Sequence, residues 1–446
     1  MDYRHLKPAI FAVIFVTSLL LLQAPAAKAE INIQRSSDGG KTWNHVGHDT
    51  ASLGVKAVSA SGAECEDAVI GKTASSSSLL QQRRVPFANP GSNATQQTFM
   101  RFSNPNNSST QVEVYGIDDT GTPNRSGPIS FTLNAEASLQ FTAQDMENGN
   151  TSKGLTGSFC DGAGKWQLIV RSDKSIEVMS LIRAPGGFLT SLNEVVPSSG
   201  DDRLVYFVNR ASEPSQQTFL RIVNRDATPG TVTISAIDDG GNAGASDITL
   251  SLAANDSQQM TSQDLENGNT SKGLVGAFGD GEGNWRITVN STLNLDVMNL
   301  IRLPGGYLLN LGGIAPGTGN ARNLNYVEPA DESLRTSSVR VINTANAVAT
   351  VTVTATDDNG AIAPKGEVIF TLAPLAAREI TISDLENGNV DEGITGMLGD
   401  GSGRWRMTVS STHTLEVMSL VETQDGFLTN LSRAAPATAS SHKISV

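Results

Sequence analysis

The sequence predicts an all-β protein, three antiparallel β-sandwiches in tandem behind a signal peptide and a short β-hairpin segment. Three observations predict it. Residues 142–166 recur as 261–285 and 381–405, with the tryptophans Trp166, Trp285 and Trp405 spaced 119 and 120 residues apart. Stretches such as Thr-Val-Thr-Ile-Ser-Ala (231–236) and Thr-Val-Thr-Val-Thr-Ala (350–355) alternate hydroxyl and apolar residues, the period of a half-buried strand. Turn signals follow one another roughly every 8–12 residues, and long helical periodicity is absent. This is the pattern of an immunoglobulin-like antiparallel sandwich with about six to seven strands per copy.

The chain opens with Arg4 and Lys7, an apolar stretch over 10–22, and the small-x-small run Ala27-Lys28-Ala29. That reads as a signal peptide over 1–29, cleaved near Glu30 and too short for a membrane span. With Arg4, Lys7 and Lys28 set against Asp2 in the signal, the formal charge of −13 becomes about −15 for the remainder. An acidic chain with no basic stripe argues against nucleic acid and against anionic membrane surfaces. No later run is apolar enough to span a bilayer. The polar tail 437–446 carries no sorting motif, which favours a secreted, extracellular or periplasmic protein.

Residues 30–84 stand outside the repeat. They contain Ser36-Ser37-Asp38-Gly39-Gly40-Lys41-Thr42-Trp43. Asp-Gly-Gly is a strong hairpin turn. The stretch resembles the Asp-box (S-x-D-x-G-x-T-W) of sialidases and other β-propellers, matching at Ser36, Asp38, Gly40 and Trp43. In that family the box is a structural hairpin and catalysis lies elsewhere. One box is no propeller, so the resemblance implies a lone hairpin followed by a polar linker. The segment also holds Cys65. Cys160, the second of two cysteines, sits where the other copies have Gly279 and Gly399. An even count in an exported chain, with the extra cysteine in the adjacent copy, predicts a Cys65–Cys160 disulfide.

The three copies span 85–197, 204–316 and 325–436, each the size of one domain. A period this long indicates tandem domains that each close a core. Strands ending at Asp118-Asp119, Asp238-Asp239 and Asp357-Asp358 turn at a following glycine. The Trp strands come next, then a final pair joined in the first two copies by Pro-Gly-Gly. The repeat resembles modules in the C-terminal parts of secreted bacterial proteins, some carrying proteases, where D-L-E-N-G-N and G-D-G-x-G-x-W signatures recur. The resemblance covers about three quarters of the chain and carries no particular activity.

The recurring acidic block admits two readings. As a calcium site it would use Asp145, Glu147, Asn150 and Asp161, with Asp264, Glu266, Asn269, Asp280 and Asp384, Glu386, Asn389, Asp400 in the later copies; Asp118 and Asp119 would be able to join. The spacing departs from an EF-hand, since Gly149 is the fifth residue from Asp145 and the twelfth-position Glu is missing. As structure, Thr142, Thr261 and Thr381 cap a helical turn that ends at a left-handed Gly149, Gly268 or Gly388, and Asp-Gly-x-Gly is a tight turn before the Trp strand. The spacing favours structure. The rings after the glycine pair, Phe188, Tyr307 and Phe427, are either core rings or a ligand loop that stacks on sugars or partners. Arg183 and Arg302 become Glu422 and Pro-Gly-Gly becomes Gln-Asp-Gly in the third copy, so that loop is expected to bind worst.

Catalytic groups are sparse. Of His45, His48, His413 and His442, only His413 lies in a repeat, opposite Lys174 and Leu293. No G-x-S-x-G, H-E-x-x-H or phosphate loop occurs. The expectation is a non-catalytic, secreted spacer or adhesion module that binds polysaccharide or a cell-surface protein. The alternatives are a carbohydrate-active accessory protein, suggested by the Asp-box, and a calcium-rigidified stalk.

Overall fold

The structure, a computed structural model, describes residues 81–213 and 215–433, together with the backbone of four two-residue strands before them. In that earlier stretch Gln34–Arg35 pairs antiparallel with Asn44–His45, on either side of 36–43, and Ala57–Val58 pairs with Glu64–Cys65. Residues 1–29, where the sequence suggests a signal peptide, the Asp-box residues Ser36, Asp38, Gly40 and Trp43, the side chain of Cys65 and the tail 437–446 lie outside the described residues.

Each repeat is a pair of antiparallel sheets. In the first, one sheet runs Gln81–Ala88, Trp166–Ser172, Thr110–Ile117, Ile129–Leu133; the other runs Leu189–Ser191, Glu177–Arg183, Gln97–Ser103, Ser138–Thr142. That makes eight strands, more than the alternation alone suggests, because the first and last strands of a copy are short or broken by a register shift. The second and third repeats keep the same order and add one or two short edge strands. Inward residues of the two sheets meet in one core per repeat, with Phe102, Phe131, Phe141 and Trp166 in the first and Trp285 and Trp405 in the others. Tandem β-sandwiches are thus what the period-2 alternation specifies: in Gly230–Ile237, Val232 and Ile234 are buried while Thr231 faces solvent.

Two further apolar clusters lie between repeats. Phe87, Ile182 and Leu192 of the first repeat pack on Met298, Leu300 and Leu308 of the second. Tyr206, Phe207, Ile301 and Leu311 of the second pack on Ile342, Met418, Leu420 and Leu428 of the third. The copies therefore share cores as well as closing their own. No helix among the described residues is long and apolar enough to cross a membrane.

Candidate functional site

The acidic block folds as a crossing between the two sheets. A six-residue helix, Ala143–Asn148, leaves the strand Ser138–Thr142, and the chain re-enters the opposite sheet at Trp166. Thr142 and Thr261 make full capping boxes with Asp145 and Asp264. In the third copy the Thr381 hydroxyl accepts from the Asp384 N–H and donates to the Asp384 carboxylate at 2.7 Å. Gly149, Gly268 and Gly388 end the helices at φ 75–76° with ψ 152–154°. These positions need glycine, but they are extended mirror-image backbone and not the left-handed stop the sequence suggests.

The centre of the block is a buried tryptophan–glutamate pair. Trp166 Nε1 donates to Glu147 Oε1 at 2.7 Å, Trp285 to Glu266 at 2.9 Å and Trp405 to Glu386 at 2.6 Å. The same carboxylates accept the backbone N–H of Gly91, Ala211 and Ala330. Each buried carboxylate thus fixes the loop that follows the first strand of its repeat. Burial pushes the Glu147 and Glu386 carboxyls up, and the Trp and backbone N–H bonds pull the other way.

Asp-Gly-x-Gly then has a distinct reason at each position. A Cβ on Gly162 or Gly281 would lie 2.5 Å from the Trp ring, and one on Gly401 would strike it as well. Gly164, Gly283 and Gly403 have φ of 78°, 66° and 78° and press against Asp119, Asp239 and Asp358. Those aspartates accept the N–H of Lys165, Asn284 and Arg404 at 2.7, 2.7 and 2.9 Å. Asp118, Asp238 and Asp357 accept the N–H of Ala163, Glu282 and Ser402. The Asp-Asp pairs are a clamp for this turn, 44–46 residues away in sequence.

The proposed calcium residues are divided by this arrangement. Glu147, Glu266 and Glu386 are buried on tryptophan, while Asp161, Asp280 and Asp400 face solvent. Asp145 accepts from Asn150 at 2.6 Å, Thr142 N–H at 2.8 Å and Lys153 at 2.6 Å; Asp264 does the same with Asn269, Thr261 and Lys272. Asp384 keeps Asn389 but has lost its lysine, since Glu392 stands there and pairs with Arg378. Donors thus sit on Asp145, Asp264, Asp384 and the buried glutamates, while Asp161, Asp280 and Asp400 stay in solvent; no group of three or more His, Cys, Asp or Glu placed to hold a metal occurs among the described residues. Burial raises Asp145 and Asp264, but the lysine, backbone and asparagine donors outweigh it and hold both at about 2.

The three rings come together. Phe188, Tyr307 and Phe427 form one triangle of edge-to-face contacts, with centroids 5.1, 4.6 and 5.4 Å apart, and all three remain half-buried. Each ring directly follows its own Pro-Gly-Gly or Gln-Asp-Gly loop. Nothing local in the sequence predicts a meeting of residues 119 and 120 positions apart.

Sequence reasoning missed the joints between repeats. Fully buried Arg221 reaches back from the second repeat to Asp119 at 2.8 Å, and Arg340 reaches from the third to Asp239 at 2.5 Å. Each guanidinium lies over a ring of the preceding repeat, Phe87 or Phe207. The available signal was the strand Leu295–Arg302, apolar on both faces, which calls for cover on both sides. Cys160 is buried at φ 60°, where Gly279 and Gly399 have φ 71° and 75°. Left-handed backbone costs a non-glycine residue about 1–2 kcal/mol, so the sulfur is kept against a local penalty.

No known protein family matches the chain, and no curated protein does. Among solved structures, it is similar to a tetra-tandem repeat from the extending region of a large adhesion protein. That similarity has 16% identity and a TM-score of 0.11, over 74% of this chain and 66% of the other. At that score the likeness carries no argument about fold or function.

Proposed function

We propose that the protein is an exported, non-catalytic binding module of the adhesion kind, and that it holds a polysaccharide at the triangle of Phe188, Tyr307 and Phe427. The observation that supports this reading is convergence. The recurring carboxylates of the Asp-Asp pairs, the caps and the tryptophan partners are engaged by backbone and side-chain donors, whereas the recurring rings gather half-exposed at one place. Aromatic rings present apolar faces and edges that suit the C–H faces of sugars. The acidic surface would repel polyanions, so a neutral or basic polysaccharide fits best. Export through the cleaved segment 1–29 and a Cys65–Cys160 bridge belong to the same reading; N-terminal sequencing and thiol labelling without reductant check them.

The test is binding of soluble polysaccharides to the purified protein. One site per chain is expected, in place of three independent loops, and Tyr307→Ala weakens it about tenfold or more, as loss of a central aromatic contact does. Binding that survives loss of all three rings, or cleavage of the polysaccharide, refutes the proposal.

A further inference from the structure

Each joint between repeats is built from two different faces. The earlier repeat offers a receiving face, with an aromatic ring, the second aspartate of the Asp-Asp pair and a glycine turn. The later repeat offers an entering face, with an arginine, a methionine opposite it in the neighbouring strand, and a leucine beyond. At the first joint these are Phe87, Asp119 and Gly121 against Arg221, Met298 and Leu308. At the second they are Phe207, Asp239 and Gly241 against Arg340, Met418 and Leu428.

The backbone contacts repeat in register. Ser257 N–H donates to Asp119 O and Ala377 N–H to Asp239 O; Val196 N–H donates to Val297 O and Ala315 N–H to Val417 O. Arg221 Nε donates to Pro86 O and Arg340 Nε to Tyr206 O. Two joints made from the same parts in the same order define one head-to-tail mode of association.

Three repeats with two joints leave one face of each kind over. The first repeat carries a spare entering face: Arg101, with Met179 opposite it in the paired strand, and Leu189 beyond. Met179 is 41% exposed, where Met298 and Met418 are 0% exposed. Leu189 is 51% exposed, where Leu308 and Leu428 are 5% and 4%. The third repeat carries a spare receiving face: Tyr326, an exposed Asp358, a half-buried Leu431, and Gly360. A Cβ on Gly360 would meet nothing within 4 Å, whereas one on Gly121 or Gly241 would strike the next repeat.

The first and third repeats already touch through Phe188 with Phe427 and through Glu194 with Arg433. Even so, the two spare faces stay open among the described residues. We propose that a second copy of this chain occupies them, the first repeat of one molecule entering the third repeat of another. The spare parts match in charge, with Arg101 for Asp358, and in shape class, with Met179 and Leu189 for Tyr326 and Leu431. They also continue a joint the molecule makes twice. Because the two faces differ, such a contact is heterologous, and every added copy presents a fresh face at each end.

Sedimentation velocity on the purified protein over a range of concentrations tests this. The expected result is a mass that rises with concentration. Met179→Glu spoils the entering face and Asp358→Lys the receiving face, so each variant alone stays monomeric. Their equimolar mixture keeps one good face on each chain and gives a 1:1 dimer that grows no further. Asp358 also holds the Arg404 N–H, so Leu431→Lys serves as a second receiving-face variant that leaves this clamp intact. A wild-type protein that stays monomeric throughout overturns the proposal, as does a variant that self-associates like wild type. A mixture of the two variants that fails to pair overturns it too.

Discussion

Arg340→Ala is the most informative single change. The arginine is fully buried. Its Nη2 and Nη1 reach Asp239 at 2.5 and 3.2 Å, its Nε reaches Tyr206 O at 3.2 Å, and its guanidinium lies over Phe207. Removing one partner of a buried pair costs roughly 3–5 kcal/mol, because the other charge is left in a poor medium. Asp239 would keep the Asn284 N–H and some solvent, which places the loss near the low end, about 3 kcal/mol. Arg221→Ala should cost less. Arg221 meets Asp119 through one nitrogen, and its Nη2 has no hydrogen-bond partner, so less is lost. Urea unfolding of the two variants measures both losses. Limited proteolysis then shows whether the third repeat separates first. A loss below about 1 kcal/mol for Arg340→Ala, the range of an exposed ion pair, would refute the view that this joint holds the repeats together.

Further outcomes follow from the repeat core. Trp285→Phe leaves Glu266 buried without its indole donor and should destabilise by about 1–3 kcal/mol in urea unfolding, whereas Glu266→Gln, which still offers an acceptor, should cost less. Gly281→Ala drives a methyl into the Trp285 ring and should cost about 1–3 kcal/mol by the same measurement, in spite of alanine's smaller backbone entropy cost. Asp145 and Asp264 lie below their unfolded value of 3.8, so they add stability above about pH 4 that is lost as pH falls toward about 2. Acid titration of Asp264→Asn should therefore show a shallower loss over that window than wild type.

What was legible in the sequence was local. Thr-x-x-Asp spacing specified the caps, Val-Thr alternation the half-buried strands, and the 119- and 120-residue spacing the copies. Each of these signals spans a few residues or repeats whole. The pairings that assemble the block were not legible. Trp166 and Glu147 were both visible as recurring residues, but a 19-residue loop does not announce that its ends hydrogen-bond. The same holds for Asp119 and the Gly164 turn, and more strongly for Arg340 and Asp239, which are 101 positions apart. Carboxylates that recur at turns suggest a cation by inventory; the geometry divides them, with Glu147 held by Trp166 and Asp145 by its cap while Asp161 faces solvent. Each ring taken alone fits a core or a ligand loop, because nothing in one copy says where the next copy's ring will stand.

The acidic blocks turn inward on their own backbone, tryptophan and neighbouring repeat, which makes them architecture. Thermal unfolding with calcium and after chelation, at fixed ionic strength, tests this most directly. The same midpoint is expected in both conditions. A midpoint that rises with calcium, and no longer rises when Asp264 and Asp280 become Asn, would contradict it.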